Sequence, residues 1–306
     1  MAMHIDLEKV HQLRGHNAAI YRLANDQQGA SFLSSGGDGW IVRWSIDDPD
    51  PGHLVARVEQ QVFSLCNLAD KGLLIAGDMN GGIHWVYPED QKRNRHIAHH
   101  KKGVFDLRQI GAFVYSLGGQ GTLTRWSIEA ARSLESLQLS YSALRAIDYN
   151  ARRKELAIGA SDSNIYLLDA DTLEIRKVID KAHEPSVFSV HYTPDGQHLL
   201  SGGRDAHLRV WDCEHGFEVI SDQAAHWYTI NHICFHPRGH LFATASRDKS
   251  IKIWDASNFK LLKVLDQFKK GGHLNSVNRL LWVAGGQQLV SASDDRSLII
   301  WDLKDD

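Results

Sequence analysis

The chain has 306 residues, of which 43% are hydrophobic and 23% charged, with a net charge near −3 and a pI of about 6.6. These values are ordinary for a globular protein and give no electrostatic basis for a polyanion, so neither nucleic acid nor a membrane surface is an expected partner. No apolar run is long enough to cross a bilayer as a helix, and the acidic start MAMHIDLEKV lacks the apolar core of a secretory signal.

In chain order, Lys9–Leu13 reads as a lone strand. Seven similar units follow, each ending on one signature. The endings are RWS at Arg43–Ser45, HWV at His84–Val86, RWS at Arg125–Ser127 and LLD at Leu167–Asp169, then VWD at Val210–Asp212, IWD at Ile253–Asp255 and IWD at Ile300–Asp302. Their centres are spaced by 41, 41, 42, 43, 43 and 47 residues. The fifth unit shows the internal pattern. A strand holding Val187, Val190 and Tyr192 ends at the turn Pro194-Asp195-Gly196; Leu199–Ser201, Leu208–Trp211 and Glu218–Ile220 supply three more. Short β-branched and aromatic runs, punctuated by turn residues, predict strands rather than helices. A repeat of this length ending in Trp-Asp predicts one all-β domain over 1–306, a seven-bladed β-propeller of four-stranded antiparallel blades. The last unit runs out after its third strand, so the N-terminal strand is expected to complete that blade and close the ring.

Four residue types recur at fixed offsets. A histidine precedes the tryptophan by 28 residues at His16, His183, His226 and His273. An Asp precedes it by six (Asp38, Asp205, Asp248, Asp295), and a hydroxyl lies four before that Asp (Ser34, Ser201, Thr244, Ser291). On these residues the chain resembles the WD-repeat β-propeller family over essentially its whole length. The resemblance implies a hydrogen-bonded relay within each blade, from Trp to Ser/Thr to His to Asp, which satisfies buried polar groups. Ser, His and Asp together also suggest a catalytic triad, but fourfold repetition with Trp as a constant member favours structure. Three units depart from the pattern. Unit two has Val58, Ile75 and Met79 in the His, hydroxyl and Asp slots. Unit three keeps His100, Ser116 and Trp126 with Gln120 for the Asp, and unit four keeps Asp162 with Ser140, Ile158 and Leu168.

The candidate binding residues lie five past each histidine slot: Tyr21, Phe63, Phe105, Arg145, Phe188, Asn231 and Asn278. The family resemblance implies that they face the mouth of the central channel on the top surface, together with Arg204 and Arg247, which precede the turn Asp. Trp227 and Tyr228 would add to the rim. Aromatic and arginine side chains around one opening match the chemistry of interaction hot spots. The expected function is therefore a non-catalytic scaffold, a monomeric cytoplasmic propeller within a larger complex, docking a protein or peptide segment there. The motif by which some propellers recruit substrates to a cullin ubiquitin ligase, an Arg two residues after Trp-Asp, is missing. The competing class is an enzyme or small-molecule binder using Arg22, Ser64, Asp106, Ser189, His232 and Arg279, one residue further into the first strands.

No cofactor and no metal are expected. Among 18 histidines, His96, His99 and His100 cluster in the chain without a neighbouring carboxylate or thiolate, beside a basic stretch that reads as a solvated outer strand and loop. His232 and His236 alternate with Cys234, but His236-Pro237 fits a turn. Gly118-Gly119-Gln120-Gly121 lacks the lysine and helix of a phosphate loop. The cysteines, Cys66, Cys213 and Cys234, are odd in number, and Cys66 and Cys234 occupy equivalent strand positions. They read as small apolar residues of a reduced protein.

Overall fold

The computed structural model describes residues 5–26 and 29–305. Seven four-stranded antiparallel sheets stand in a ring, each ordered from an inner first strand to an outer fourth. Blade 1 is built from Ile20–Asn25, Ser31–Gly36, Trp40–Ser45 and His53–Arg57, and blade 2 from Val62–Leu68, Leu73–Asp78, Gly82–Val86 and Arg95–Ala98. The first strands of blades 3 to 7 are Val104–Ile110, Leu144–Asn150, Val187–Tyr192, Ile230–Phe235 and Val277–Val283. Blade 7 is completed by Ile5–Arg14, which pairs antiparallel with Ser297–Asp305 from Ile5 opposite Asp305 to Arg14 opposite Ser297. The closing strand buries Ile5, Leu7 and Leu13. The first four residues of the N-terminal stretch lie outside the described residues.

The core is divided among the blade interfaces. Trp44, Phe32 and Val42 of blade 1 pack on Val290, Leu298 and Ile300 of blade 7. Leu33 and Ile41 meet Val62, Leu65 and Leu74 of blade 2, and the pattern continues around the ring to Leu241 and Ile253 against Leu280 and Trp301. Each blade is apolar on both faces, which is why these strands read as near-continuous hydrophobic runs rather than alternating ones.

The relay is formed in blades 1, 5, 6 and 7. In blade 5 the Trp211 indole N–H donates to Ser201 Oγ at 2.8 Å, His183 Nε2 lies 2.7 Å from the same hydroxyl, and His183 Nδ1 lies 2.8 Å from Asp205. Blade 3 keeps the first two links, and the Gln120 amide sits 3.0 Å from His100 Nδ1 in place of a carboxylate. In blade 4, Ile158 and Leu168 are apolar, and Asp162 accepts from the Ser140 and Tyr166 hydroxyls.

Blade 2 corrects the sequence alignment by one residue. Its second strand pairs Ala76 with His84 and Ile75 with Trp85, whereas blade 1 pairs Ser34 with Val42 and Leu33 with Arg43. Counted from the turn, the hydroxyl, Asp and Trp slots of blade 2 are therefore Ala76, Asn80 and Val86, not Ile75, Met79 and Trp85. A one-residue slip turns a strand side chain to the other face. Trp85 accordingly packs against Trp126 of blade 3 with its indole N–H buried and unpartnered, while Val58, Ala76 and Val86 form an apolar face toward blade 1. Replacing the partners of a buried network together by apolar groups is nearly neutral, which explains how the blade tolerates the loss.

The relays predict an acid-sensitive fold. Burial alone would raise the carboxyls of Asp38, Asp205, Asp248 and Asp295, but hydrogen bonds and charge from the paired histidines hold them below the usual range. Burial pushes His100 down to about 4, with His99 adding to the effect, and lowers His183 and His226 against the pull of their aspartates. From about pH 6.5 downward the unfolded chain takes up protons on these histidines ahead of the folded chain, so stability falls. Below about pH 4 the carboxylates add a second loss of the same sign, as the unfolded state protonates first. Thermal midpoints should be level near neutrality, decline from about pH 6.5 to 4, and drop steeply below. A midpoint unchanged down to pH 4 would contradict this.

Candidate functional site

In every blade the first strand carries a bulge at the same place. Ile20 and Arg22 pair with the adjacent residues Gly36 and Ser35, leaving Tyr21 unpaired between them. The register shifts likewise around Phe63, Phe105, Arg145, Phe188, Asn231 and Asn278. These seven are the residues singled out from the sequence. A bulge re-aims a side chain out of the ladder, and here it does so once per blade at one end of the inner wall.

Five of them form a continuous arc. Tyr21 meets Phe63 edge-on at 5.2 Å between ring centroids, Phe63 stacks on Phe105 at 5.5 Å, and the Arg145 guanidinium lies 4.2 Å from the Phe105 centroid and 5.1 Å from that of Phe188. Phe63 rests over Gly103 and Phe105 over Gly119, where an added Cβ would approach the rings to 3.2 and 3.0 Å. All five are half-buried. The space between Phe105 and Phe188 is thus filled by the chain's own Arg145, whose Nε also donates to Ser161 Oγ at 2.8 Å. Tyr21 has a raised pKa because of burial and the nearby Asp294 charge.

The two asparagines behave differently. Asn231 Nδ2 donates to Ser276 Oγ and to the Val277 carbonyl of blade 7, and Asn278 Nδ2 donates to the Ile20 carbonyl of blade 1 and to Asp294. Their amides join neighbouring blades. Arg204 and Arg247 are exposed on the turns after the second strands, and their backbone N–H groups donate to Ser186 and Thr229 just ahead of the first strands. Those bonds place both arginines at the same end of the ring as the arc.

This end also carries exposed apolar side chains, of which sequence reasoning missed Tyr141 and Leu274. Tyr141 is 95% exposed and Leu274 57%, each directly after a histidine slot, as is Trp227 at 87% after His226, with Tyr228 at 61% one residue further. Met79, assigned from sequence to a relay slot, projects from the turn of blade 2. Exposed position after a conserved-length offset was the available signal, and it was applied only to Trp227 and Tyr228.

The channel-wall residues of the competing reading are mostly engaged with the next blade. Ser64 Oγ donates to the Val104 carbonyl at 2.9 Å, Asp106 accepts from Ile147 N at 3.1 Å, Ser189 Oγ from Ile233 N at 3.0 Å, and His232 Nδ1 from Leu280 N at 3.2 Å. Arg22 is ion-paired with Asp106. Desolvation, helped by Arg279 and Arg22, keeps the His232 imidazole well below its usual pKa. Its Nδ1 therefore accepts as a neutral ring. Arg279 is lowered by burial and by Arg22 to about 9, still a cation at neutral pH. Burial raises the thiols of Cys66 and Cys234 to about 11 and Cys213 to about 12, in keeping with apolar packing.

The profile of the family described as "WD40: WD domain, G-beta repeat" matches residues 7–45, 175–212, 217–255 and 260–302. These are the four units with a complete relay; the stretch it passes over holds the three altered ones. Similar curated proteins include "Periodic tryptophan protein 2 homolog" of Mus musculus, 20% identical over 67% of this chain and 24% of that protein. Others are "Small ribosomal subunit protein RACK1" of Schizosaccharomyces pombe, 32% identical over 33% of this chain and 34% of that one, and "THO complex subunit 6 homolog" of Danio rerio, 26% identical over 40% and 41%. The alignments thus span from a quarter to two fifths of these relatives. The crystal structure of the WD40 β-propeller domain of Doa1 superposes with a TM-score of 0.84 at 20% identity, covering 97% of each chain. With the four matched repeats, the relays and the closed seven-bladed ring in agreement, the chain belongs to the WD40-repeat family.

Proposed function

We propose that this propeller is a non-catalytic interaction scaffold that docks an extended segment of a partner protein on the face bearing the arc. The carrying observation is the run Tyr21–Phe63–Phe105–Arg145–Phe188, bordered by the exposed Tyr141, Trp227, Tyr228 and Leu274. Exposed apolar groups collected at one place mark interaction surfaces, and aromatic and arginine side chains dominate binding energy there. Because Arg145 already occupies the cation position between two phenyl rings, the complementary segment carries apolar or aromatic side chains with acids placed to meet Arg145, Arg204 and Arg247. The names of two relatives, a ribosomal subunit protein and a THO complex subunit, are those of parts of larger assemblies. The non-catalytic reading is supported by the inter-blade bonds that occupy Ser64, Asp106, Ser189 and His232.

Segments selected from a displayed peptide library supply the test. Phe105→Ala and Trp227→Ala should each weaken the selected segment by about thirtyfold, the effect of losing roughly 2 kcal/mol at a hot spot. For the exposed Trp227 the melting curve should stay nearly in place, and Leu134→Ser on an outer strand should leave binding unchanged. Binding that survives both face variants would move the site to the outer strands or the opposite end. Arg279, a cation with no hydrogen-bond or ion-pair partner among the described residues, favours one second reading, an anionic small molecule in the channel. Thermal stabilisation by such a ligand, lost in Arg279→Met, would support it.

A further inference from the structure

We propose that Asp78, His84 and His96 form a binding site for a divalent transition-metal ion of the zinc class on the outer part of blade 2. One ligand atom from each lies within 4.8 Å of the others. His84 and His96 are directly opposed across the third and fourth strands, with rings stacked at 4.6 Å. His84 Nε2 lies 2.7 Å from Asp78 Oδ2. The other carboxylate oxygen accepts from the backbone N–H groups of Asn80 at 2.8 Å and Gly82 at 2.9 Å, so the Asp78 side chain is held with Oδ2 turned toward the imidazoles. Such supporting bonds orient ligands in metal centres.

The position of Asp78 is unlike its counterparts. The last residue of the second strand is Gly36, Gly118, Ala160, Gly203, Ser246 or Ser293 in the other six blades. The relay ring explains two of the glycines: a Cβ at Gly118 would lie 2.3 Å from His100 Nδ1, and one at Gly203 2.4 Å from His183 Cγ. Blade 2 has Val58 instead of that ring, and the freed space admits a carboxylate. Convergence is visible again at Gly82, where a Cβ would sit 2.4 Å from both Asp78 Oδ2 and His96 Nε2. Only glycine leaves the three donors facing one another.

Two imidazoles and one carboxylate suit zinc, cobalt, nickel or copper rather than magnesium or calcium, which prefer all-oxygen sites. His96 is exposed and the donors border a cleft of about 480 Å³ lined also by Arg57, Gln60 and Asn80, so a bound ion keeps a solvent-facing position in the manner of three-ligand zinc sites. Neighbours in the chain mislead here. His99 and His100 turn into blade 3, bonding Thr124 and Ser116, and the carboxylate comes from another turn of blade 2.

Titration of the tag-free, chelator-treated chain with zinc chloride tests this by calorimetry, with cobalt(II) absorption as a second readout. One equivalent should bind, raise the melting temperature by roughly 2–5 °C at saturating metal, and give the visible bands of a low-coordinate cobalt site. His96→Ala, at an exposed position, should weaken binding at least about tenfold, as should Asp78→Asn; His215→Ala, at an unrelated exposed histidine, should leave it unchanged. Absence of a stoichiometric site, or binding undiminished in His96→Ala, would overturn the assignment.

Discussion

Deletion of residues 1–15 is expected to lower the melting temperature by about 10 °C or more, or to leave the product aggregated. The segment holds the outer strand of blade 7, and three of its aliphatic side chains, Ile5, Leu7 and Leu13, are buried. Burial of each contributes about 1.5–3 kcal/mol, and a chain of this size shifts by about 2 °C per kcal/mol. Leu7 packs in the interface between blades 6 and 7, and Leu13 in the one between blades 7 and 1, so the loss falls on both sides of the closing blade. The strand Ser297–Asp305 would meanwhile present an open edge able to pair with another chain. Calorimetry and size-exclusion chromatography read both effects. Soluble monomeric material with an unchanged melting temperature would show that closure contributes little.

Asp205→Ala should cost about 1–3 kcal/mol, because it leaves the buried His183 without its partner. Asp205 also accepts from Arg209 at 3.0 Å, but Arg209 keeps Asp222 and the Ala182 carbonyl as partners, so the loss falls chiefly on His183. Gln120→Ala should cost distinctly less. The amide serves His100 alone, no charge is involved, and Gln120 Oε1 is already buried without a partner. Denaturant titration of both variants checks the difference, provided unfolding is reversible. Equal losses would mean that the carboxylate adds nothing over an amide in this network.

The repeat interval of 41 to 47 residues and its strand pattern were enough to determine a ring of seven all-β units, and the last unit, one strand short, pointed to closure by the N-terminal strand. A blade is a local structure, built from consecutive strands joined by short turns, so its signature survives in a linear pattern. The relays were legible for the same reason: His, hydroxyl, Asp and Trp recur at fixed offsets within one blade. The seven bulge residues of the first strands share one offset from the histidine slot and were picked out by it.

What those side chains do was decided by the tertiary structure. The bulge that turns each of them out of its ladder, and the split between an aromatic arc and two asparagines bonded to the next blade, depend on how first strands meet across blades. Likewise Ser64, Asp106, Ser189 and His232 look like free channel groups in sequence and become inter-blade bonds in the ring. In blade 2 the aromatic Trp85 marked a register that was one residue off. Strand side chains alternate with period two, so that single step exchanges the faces and moves Trp85 from blade 1's side to blade 3's. The same strand pairing sets His84 opposite His96 and beside Asp78. Residues 12 and 18 positions apart carry no mark of such a meeting until the strands are paired.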